Sequence, residues 1–168
     1  MRNPKRPHTS SYKSPKISVA KCRTLISAAK EAAKKAYAPY SGLAIGAAVL
    51  AANGDIFTGC NVENASYGLT VCAERVAIFR AISEGVRVFT ALGIFPNGSS
   101  SAMPCGACRQ VISEFAPQCL IVLSEEPGKS RIIPMSKLLP EPFSLPSCQS
   151  YNLTKIRTRI SNAAGGKR

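Results

Sequence analysis

Pro104-Cys105-Gly106-Ala107-Cys108, read with Cys72-Ala73-Glu74 upstream, is the stretch around which the chain is organised. Cys105 and Cys108 stand at the Cys-x-x-Cys spacing of a zinc clip, where two thiolates reach one ion. Cys72 offers a third sulfur. Glu74, two residues on, stays close to the metal in a helical first turn without ligating it. Three protein ligands leave a tetrahedral zinc one open position, which a catalytic ion needs and a structural ion lacks. Cys22, Cys60, Cys119 and Cys148 remain as possible fourth ligands for a closed site, but none has clip spacing to the other three.

Working outward, both cysteine segments lie where an apolar run has ended and a helical pattern begins. The pattern after Cys72 predicts a helix from about Val71 to Glu84, with Val76, Phe79 and Ile82 inward and Gly85 just past its end. Pro104 opens a second short helix carrying Val111, Ile112 and Phe115 and stopped by Pro117. Upstream, Ser18 is a suitable N-cap for a helix on which Leu25, Ile26, Ala29, Ala32, Ala33 and Ala36 recur at helical spacing until Pro39 ends it. Leu43 to Ala51 and Ile56 to Cys60 read as strands joined through Ala52-Asn53-Gly54-Asp55, since Asn-Gly between apolar runs signals a hairpin. Val88 to Phe95 is continuously apolar and predicts a strand covered on both faces. Cys119 to Leu123 predicts another, Glu125-Glu126-Pro127-Gly128 a turn, Arg131 to Pro134 a short edge strand and Met135 to Leu139 a last helical turn. The order predicts a three-layer α/β/α sandwich with a mixed five-stranded sheet, its strand–helix–strand steps being right-handed parallel crossovers.

The chain has 168 residues, 45% of them hydrophobic and 18% charged, which suits one globular domain with a real core. No apolar run approaches the about 20 residues of a membrane-spanning helix. Seven cysteines, several at zinc-type spacing, fit a reducing compartment better than a disulfide framework, so a cytoplasmic location is expected. The basic start of the chain lacks the apolar block of a secretory signal. The net charge of +13 suggests nucleic acid until it is mapped. Residues 1–16 and 151–168 hold ten of the 22 basic residues and none of the 9 acidic ones, so the body between them is close to neutral. The expected organisation is a basic disordered tail over 1–17, a zinc-dependent domain over 18–145 and a basic C-terminal tail over 146–168. Such tails bind nucleic acid weakly and in a salt-dependent way, or serve only as solvated ends.

The expected chemistry follows from placement. Cysteines at the starts of helices meet the partial positive charge there, which favours the thiolate that binds metal. Three thiolates on Zn²⁺ leave a net charge of about −1, an electron-rich site whose water ionises reluctantly. Arg75 and Arg109 are candidates to offset that charge. Zinc nucleobase deaminases carry an H-x-E…P-C-x-x-C signature with an all-cysteine variant, which Cys72-Ala73-Glu74 and Pro104 to Cys108 match.

The resemblance extends further. Tyr37-Ala38-Pro39-Tyr40-Ser41, Ile45-Gly46-Ala47-Ala48, Gly59-Cys60-Asn61-Val62-Glu63-Asn64-Ala65, Cys72-Ala73-Glu74-Arg75 and Pro104 to Gln110 occur in the order in which they occur in the cytidine deaminase family. The chain resembles its small zinc-dependent, three-cysteine type closely from about Ala36 to Phe115 and more weakly to about Phe143. The resemblance implies zinc-dependent hydrolytic deamination of cytidine and deoxycytidine to uridine and deoxyuridine plus ammonia, in pyrimidine salvage. It implies Zn²⁺ on Cys72, Cys105 and Cys108, with Glu74 as the group that moves protons between water, the ring N3 and the departing amine. Asn61 and Glu63 fall where the family binds a ribose hydroxyl, the Ala73 backbone where it meets the pyrimidine carbonyl, and Arg75 where an arginine meets the zinc-ligand sulfurs. A homotetramer with shared active sites is implied, with Ala65, Tyr67 and Phe143 near a neighbour's nucleoside. Leu43 departs from the family, which usually has an aromatic residue there; an apolar wall remains without the face-to-face contact, so weaker base binding is expected.

Two other readings stay open from the residues alone. One is a deaminase of polynucleotides or of a nucleoside antibiotic, against which Asn61 and Glu63 suit a sugar hydroxyl. The other is a non-enzymatic RNA-binding protein, which leaves Glu74 unexplained and has no aromatic recognition platform.

Overall fold

A computed structural model describes residues 16–98, 102–125 and 129–145. Residues 1–15 and 146–168 of the expected tails, Cys148 among them, and residues 126–128 of the expected turn lie outside the described residues. Among the described residues, four α-helices and five strands follow one another as α1 (Val19–Ala33), β1 (Ala44–Ala51), β2 (Ile56–Cys60), α2 (Ala73–Ser83), β3 (Phe89–Asn97), α3 (Gly106–Phe115), β4 (Leu120–Ser124), β5 (Ser130–Pro134) and α4 (Met135–Leu138). A 3₁₀ turn at Tyr67–Leu69, which the sequence pattern does not announce, precedes α2. The described helices include none long and apolar enough to cross a membrane.

The sheet is mixed, in the order β2-β1-β3-β4-β5. β1 runs antiparallel to both β2 and β3, β3 runs parallel to β4, and β4 runs antiparallel to β5. The hairpin forms as the Asn-Gly signal predicts: Gly54 takes φ +100, which only glycine adopts freely, and the Asn53 side chain accepts from the Asp55 N–H at 3.1 Å. The step through α3 joins adjacent parallel strands, as expected. The step through α2 also joins strands that run parallel, since β2 and β3 are both antiparallel to β1, but here β1 lies between them. α2 therefore has to cross a strand, which carries its first turn over the sheet and toward α3.

Period-two alternation along β1 separates the two cores. Ala47, Val49 and Ala51 face a cluster with Ala73, Ala77 and Ile78 of α2 and Cys108 and Ile112 of α3. Ala48 and Leu50 face the opposite cluster, with Cys22, Leu25 and Ala29 of α1. Helices thus cover both faces of the sheet, which gives the expected three layers. Alanines and glycines set the spacing between them. A Cβ on Gly46 would collide with the Ala29 carbonyl of α1, and one on Gly59 would run into the backbone of α2, 2.8 Å from the Ala73 oxygen.

Three local expectations are corrected. Ser18 does cap α1, accepting from the Lys21 N–H at 3.3 Å, but the helix ends at Ala33 rather than near Pro39. The reason lies downstream: the Tyr37 N–H donates to Asn61 O at 3.0 Å and Tyr37 O accepts from the Glu63 N–H at 2.8 Å, so a tertiary bridge takes the backbone that helix would have used. The inward stripe of α2 is Ala73, Ala77, Ile78 and Ala81, whereas Phe79 is exposed and Val76 and Ile82 are half-buried. Close packing over Gly59 admits alanines and leaves no room for a ring. Finally, β3 runs past Phe95, with Pro96 and Asn97 paired with Ile45 and Ala44.

The approach at Gly59 gives a direct test. Gly59→Ala places a methyl group against backbone that cannot rotate away, and overpacking of this kind costs about 1–3 kcal/mol. The urea midpoint of unfolding is expected to fall accordingly, with an unchanged denaturant slope.

Candidate metal centre

The two cysteine segments meet where α2 and α3 begin. Cys72 is the N-cap residue of α2 and Cys105 the N-cap residue of α3, while Cys108 lies one turn into α3. In both caps the backbone is extended and the side chain caps nothing, so each sulfur is free to point away from its own helix. The sulfurs of Cys72, Cys105 and Cys108 all lie within 4.8 Å of one another, those of Cys72 and Cys105 at 3.9 Å. Among the described residues no fourth ligand joins them: Cys22 and Cys119 are buried elsewhere in the core, and the Cys60 thiol donates to Lys35 O at 3.3 Å. The three-thiolate set leaves a tetrahedral ion one position for a small molecule.

The cluster resists multiple negative charge unless a cation joins it. A hydrogen bond from Cys108, helped by Arg75 and Cys105 and opposed by burial, brings the Cys72 thiol down to about 5. The same contact pushes the Cys108 thiol far up, and burial and the Glu74 charge add to it. One sulfur ionises readily and its neighbour then holds its proton, so a divalent cation is what allows all three to act as thiolates. The donor set, its spacing and its helix-terminal placement fit zinc.

Glu74 is 5% exposed, in the first turn of α2 immediately after the buried Ala73. Burial raises the pKa of its carboxyl group, and the Cys72 charge adds to that rise. Arg75 places its Nη2 2.8 Å from Thr70 O and 3.9 Å from the Cys72 sulfur, bringing positive charge to the cluster. Arg109 plays a different part. Its Nε donates to Pro104 O at 2.8 Å and its Nη1 to Leu138 O at 3.2 Å. Its fork is taken by two carbonyls, so it ties α4 to the clip rather than reaching sulfur.

The polar loop before α2 lies alongside. Asn61 is buried, its Nδ2 donating to Leu43 O at 2.9 Å and its Oδ1 accepting from the Ile45 N–H at 2.8 Å. Its amide therefore holds the entry to β1, a role no local pattern announces. The Glu63 carboxylate accepts from the backbone N–H groups of Tyr40 (2.9 Å) and Ser41 (3.2 Å) and from the Ser41 hydroxyl, and the hydroxyl bond is the largest of the influences lowering its pKa. Glu63 lines a cleft of about 190 Å³ with Tyr40, Ser41, Tyr67 and Thr70. The cleft is tied to the sulfur cluster through Thr70, whose carbonyl accepts from Arg75. Tyr67 packs edge-on to Tyr40 at 6.2 Å between centroids. Ala65, Tyr67, Leu43 and Phe143 are all exposed, Phe143 by 70%, so the described chain leaves the expected aromatic contact uncovered. The Phe143 backbone is nonetheless fixed, through both functions of the Gln110 amide on α3 at 2.8 and 3.1 Å. Sequence reasoning gives Ser41, Thr70 and Gln110 no role of their own; each is a common polar residue whose significance lies in a partner at least five positions away.

An α/β/α sandwich with three cysteines and a buried carboxylate at paired helix starts defines a zinc-dependent hydrolytic centre. Similarity to known proteins specifies which kind. The family described as the cytidine and deoxycytidylate deaminase zinc-binding region matches residues 20–124, and the chain belongs to it. A cytidine deaminase from Sporosarcina psychrophila is 46% identical over 121 residues, covering 71% of this chain and 89% of that one. One from Mycobacterium tuberculosis is 44% identical over 117 residues, covering 70% and 85%. The crystal structure of cytidine deaminase from Burkholderia pseudomallei superposes with a TM-score of 0.68 at 47% identity, covering 72% of this chain and 98% of that one.

The contact between Arg75 and Cys72 carries a prediction. Arg75→Gln removes a positive charge beside a ligand sulfur, and changes next to metal ligands typically lower affinity about 10- to 100-fold. Competition with a chromophoric chelator is expected to show zinc lost from the variant at correspondingly lower chelator concentration.

Proposed function

We propose that this protein deaminates cytidine and deoxycytidine hydrolytically, releasing uridine or deoxyuridine and ammonia, as an enzyme of pyrimidine salvage. The observation that carries the reading is the buried Glu74 carboxylate beside three clustered sulfurs, in a chain of the cytidine deaminase family. Zinc held by Cys72, Cys105 and Cys108 supplies a Lewis acid that lowers the pKa of water.

The remaining work belongs to the chain. Glu74, its pKa raised by burial, is suited to carry one proton of water to the ring N3 and the other to the leaving amine, so that N3 keeps its proton in the product and the amine departs as ammonia. The Ala73 backbone, at the start of α2, is offered to the pyrimidine carbonyl. Asn61 and Glu63 address a sugar hydroxyl, and Leu43 provides an apolar wall for the base. Arg75 steadies the charge of the sulfurs. Ala65, Tyr67 and Phe143 serve a neighbouring subunit's nucleoside in a homotetramer, a reading supported by their exposure. A cytoplasmic location accords with free cysteines throughout the described residues. The basic tails are dispensable to the chemistry.

Purified zinc-loaded protein is expected to convert cytidine to uridine, followed by the change in ultraviolet absorbance; a folded, metal-replete sample without turnover rules the reading out. Glu74→Gln is expected to keep its zinc while losing about 10²–10⁴-fold in kcat, the range typical of a positioned proton-transfer group. Metal analysis beside the rate measurement separates loss of the shuttle from loss of the ion.

A further inference from the structure

The cleft that Glu63 lines contains one hydroxyl whose bonds run to two different elements of the site. Ser41 Oγ donates to Glu63 Oε1 and accepts from the Leu43 N–H at 3.0 Å. The other carboxylate oxygen, Oε2, is held separately by the Tyr40 and Ser41 backbone N–H groups at 2.9 and 3.2 Å. Two backbone donors hold Oε2, and the Ser41 hydroxyl adds a donor on Oε1, so that both oxygens of the carboxylate are engaged and its plane is set from two sides. The hydroxyl's second bond sets the backbone of Leu43, whose carbonyl is in turn held by Asn61. One hydroxyl therefore couples the orientation of Glu63 to the apolar wall.

We propose that Ser41 is a positioning residue for the sugar end of the substrate, orienting Glu63 so that nucleosides bearing ribose hydroxyls are preferred over those lacking them. This rests on reading Glu63 as a sugar contact. A carboxylate held by a hydroxyl and two N–H groups stays ionised and accepting, and the depressed pKa of Glu63 accords with this. Losing the hydroxyl leaves both backbone bonds to Oε2, and the exposed Leu43 N–H can turn to water, so the fold is expected to survive the substitution.

The test is the ratio of kcat/KM for cytidine to that for 2′,3′-dideoxycytidine. In Ser41→Ala the ratio is expected to fall about fivefold, the scale of one net hydrogen bond of about 1 kcal/mol. Ser41→Thr is expected to restore it, and Ser41→Cys, which keeps the volume with a weak donor, to lower it. Glu63→Gln is expected to lower the ratio by itself, and adding Ser41→Ala to it to lower the ratio no further. A general packing role would instead depress both substrates equally and add to Glu63→Gln, which overturns the proposal. An unchanged ratio in Ser41→Ala, with Glu63→Gln still lowering it, refutes the role of Ser41 and spares the sugar reading. An unchanged ratio in Glu63→Gln removes the sugar reading and the proposal with it. Thermal midpoints of all variants establish that the comparison is between folded proteins.

Discussion

The meeting of two helix N-termini is the constraint on which the molecule depends. Cys72 and Cys105 stand at the N-cap positions of α2 and α3, and their sulfurs are 3.9 Å apart. Like-charged sulfurs at that distance repel unless a cation joins them or a proton remains. The resulting asymmetry, with Cys72 ionised easily and Cys108 only with difficulty, is what a divalent cation relieves on binding. Two helix dipoles and Arg75 favour the charged form from the protein side, and the ion completes the balance.

The packing brings those two helix starts together. β1 lies between β2 and β3, so α2 has to cross it. Gly59 lets the first turn of α2 sit almost on the backbone of β2, and the alanine stripe of α2 follows that close contact. The parallel step from β3 through α3 to β4 presents the second helix start beside the first. The same crowding that places Cys72 also buries Glu74, so one packing arrangement positions a ligand and raises the pKa of the neighbouring acid.

The loop between β2 and α2 converts this centre into a site with a direction. It is stitched to the segment after α1 through Tyr37 and Glu63, and to the start of α2 through reciprocal bonds between Val62 and Val71 at 2.9 and 3.0 Å. Asn61, Glu63 and Ser41 are thereby held in one frame with the metal cluster, through Thr70 and Arg75. On the far side Arg109 and Gln110 bind the last described segment to α3, which leaves Phe143 outward on a fixed backbone.

Much of this was legible in the sequence because it is local or periodic. Strand β2 falls on the residues predicted, β1, β4 and β5 within a residue at either end, and Ser18 caps α1 because an N-cap is a contact across three positions. The clip spacing of Cys105 and Cys108 is local in the same sense, whereas Cys72 and Glu74 were assigned by their resemblance to the zinc deaminase signature. What the sequence could not decide depends on partners far along the chain. The early end of α1, the exposure of Phe79, the hold of Asn61 on β1 and the diversion of Arg109 to carbonyls are each set by long-range packing or hydrogen bonds. Residue types and spacings determined which atoms were available for metal and proton chemistry. Only the tertiary structure decided which arginine faces the sulfurs and which serine orients the carboxylate, because a side chain's role is set by the partner that reaches it first.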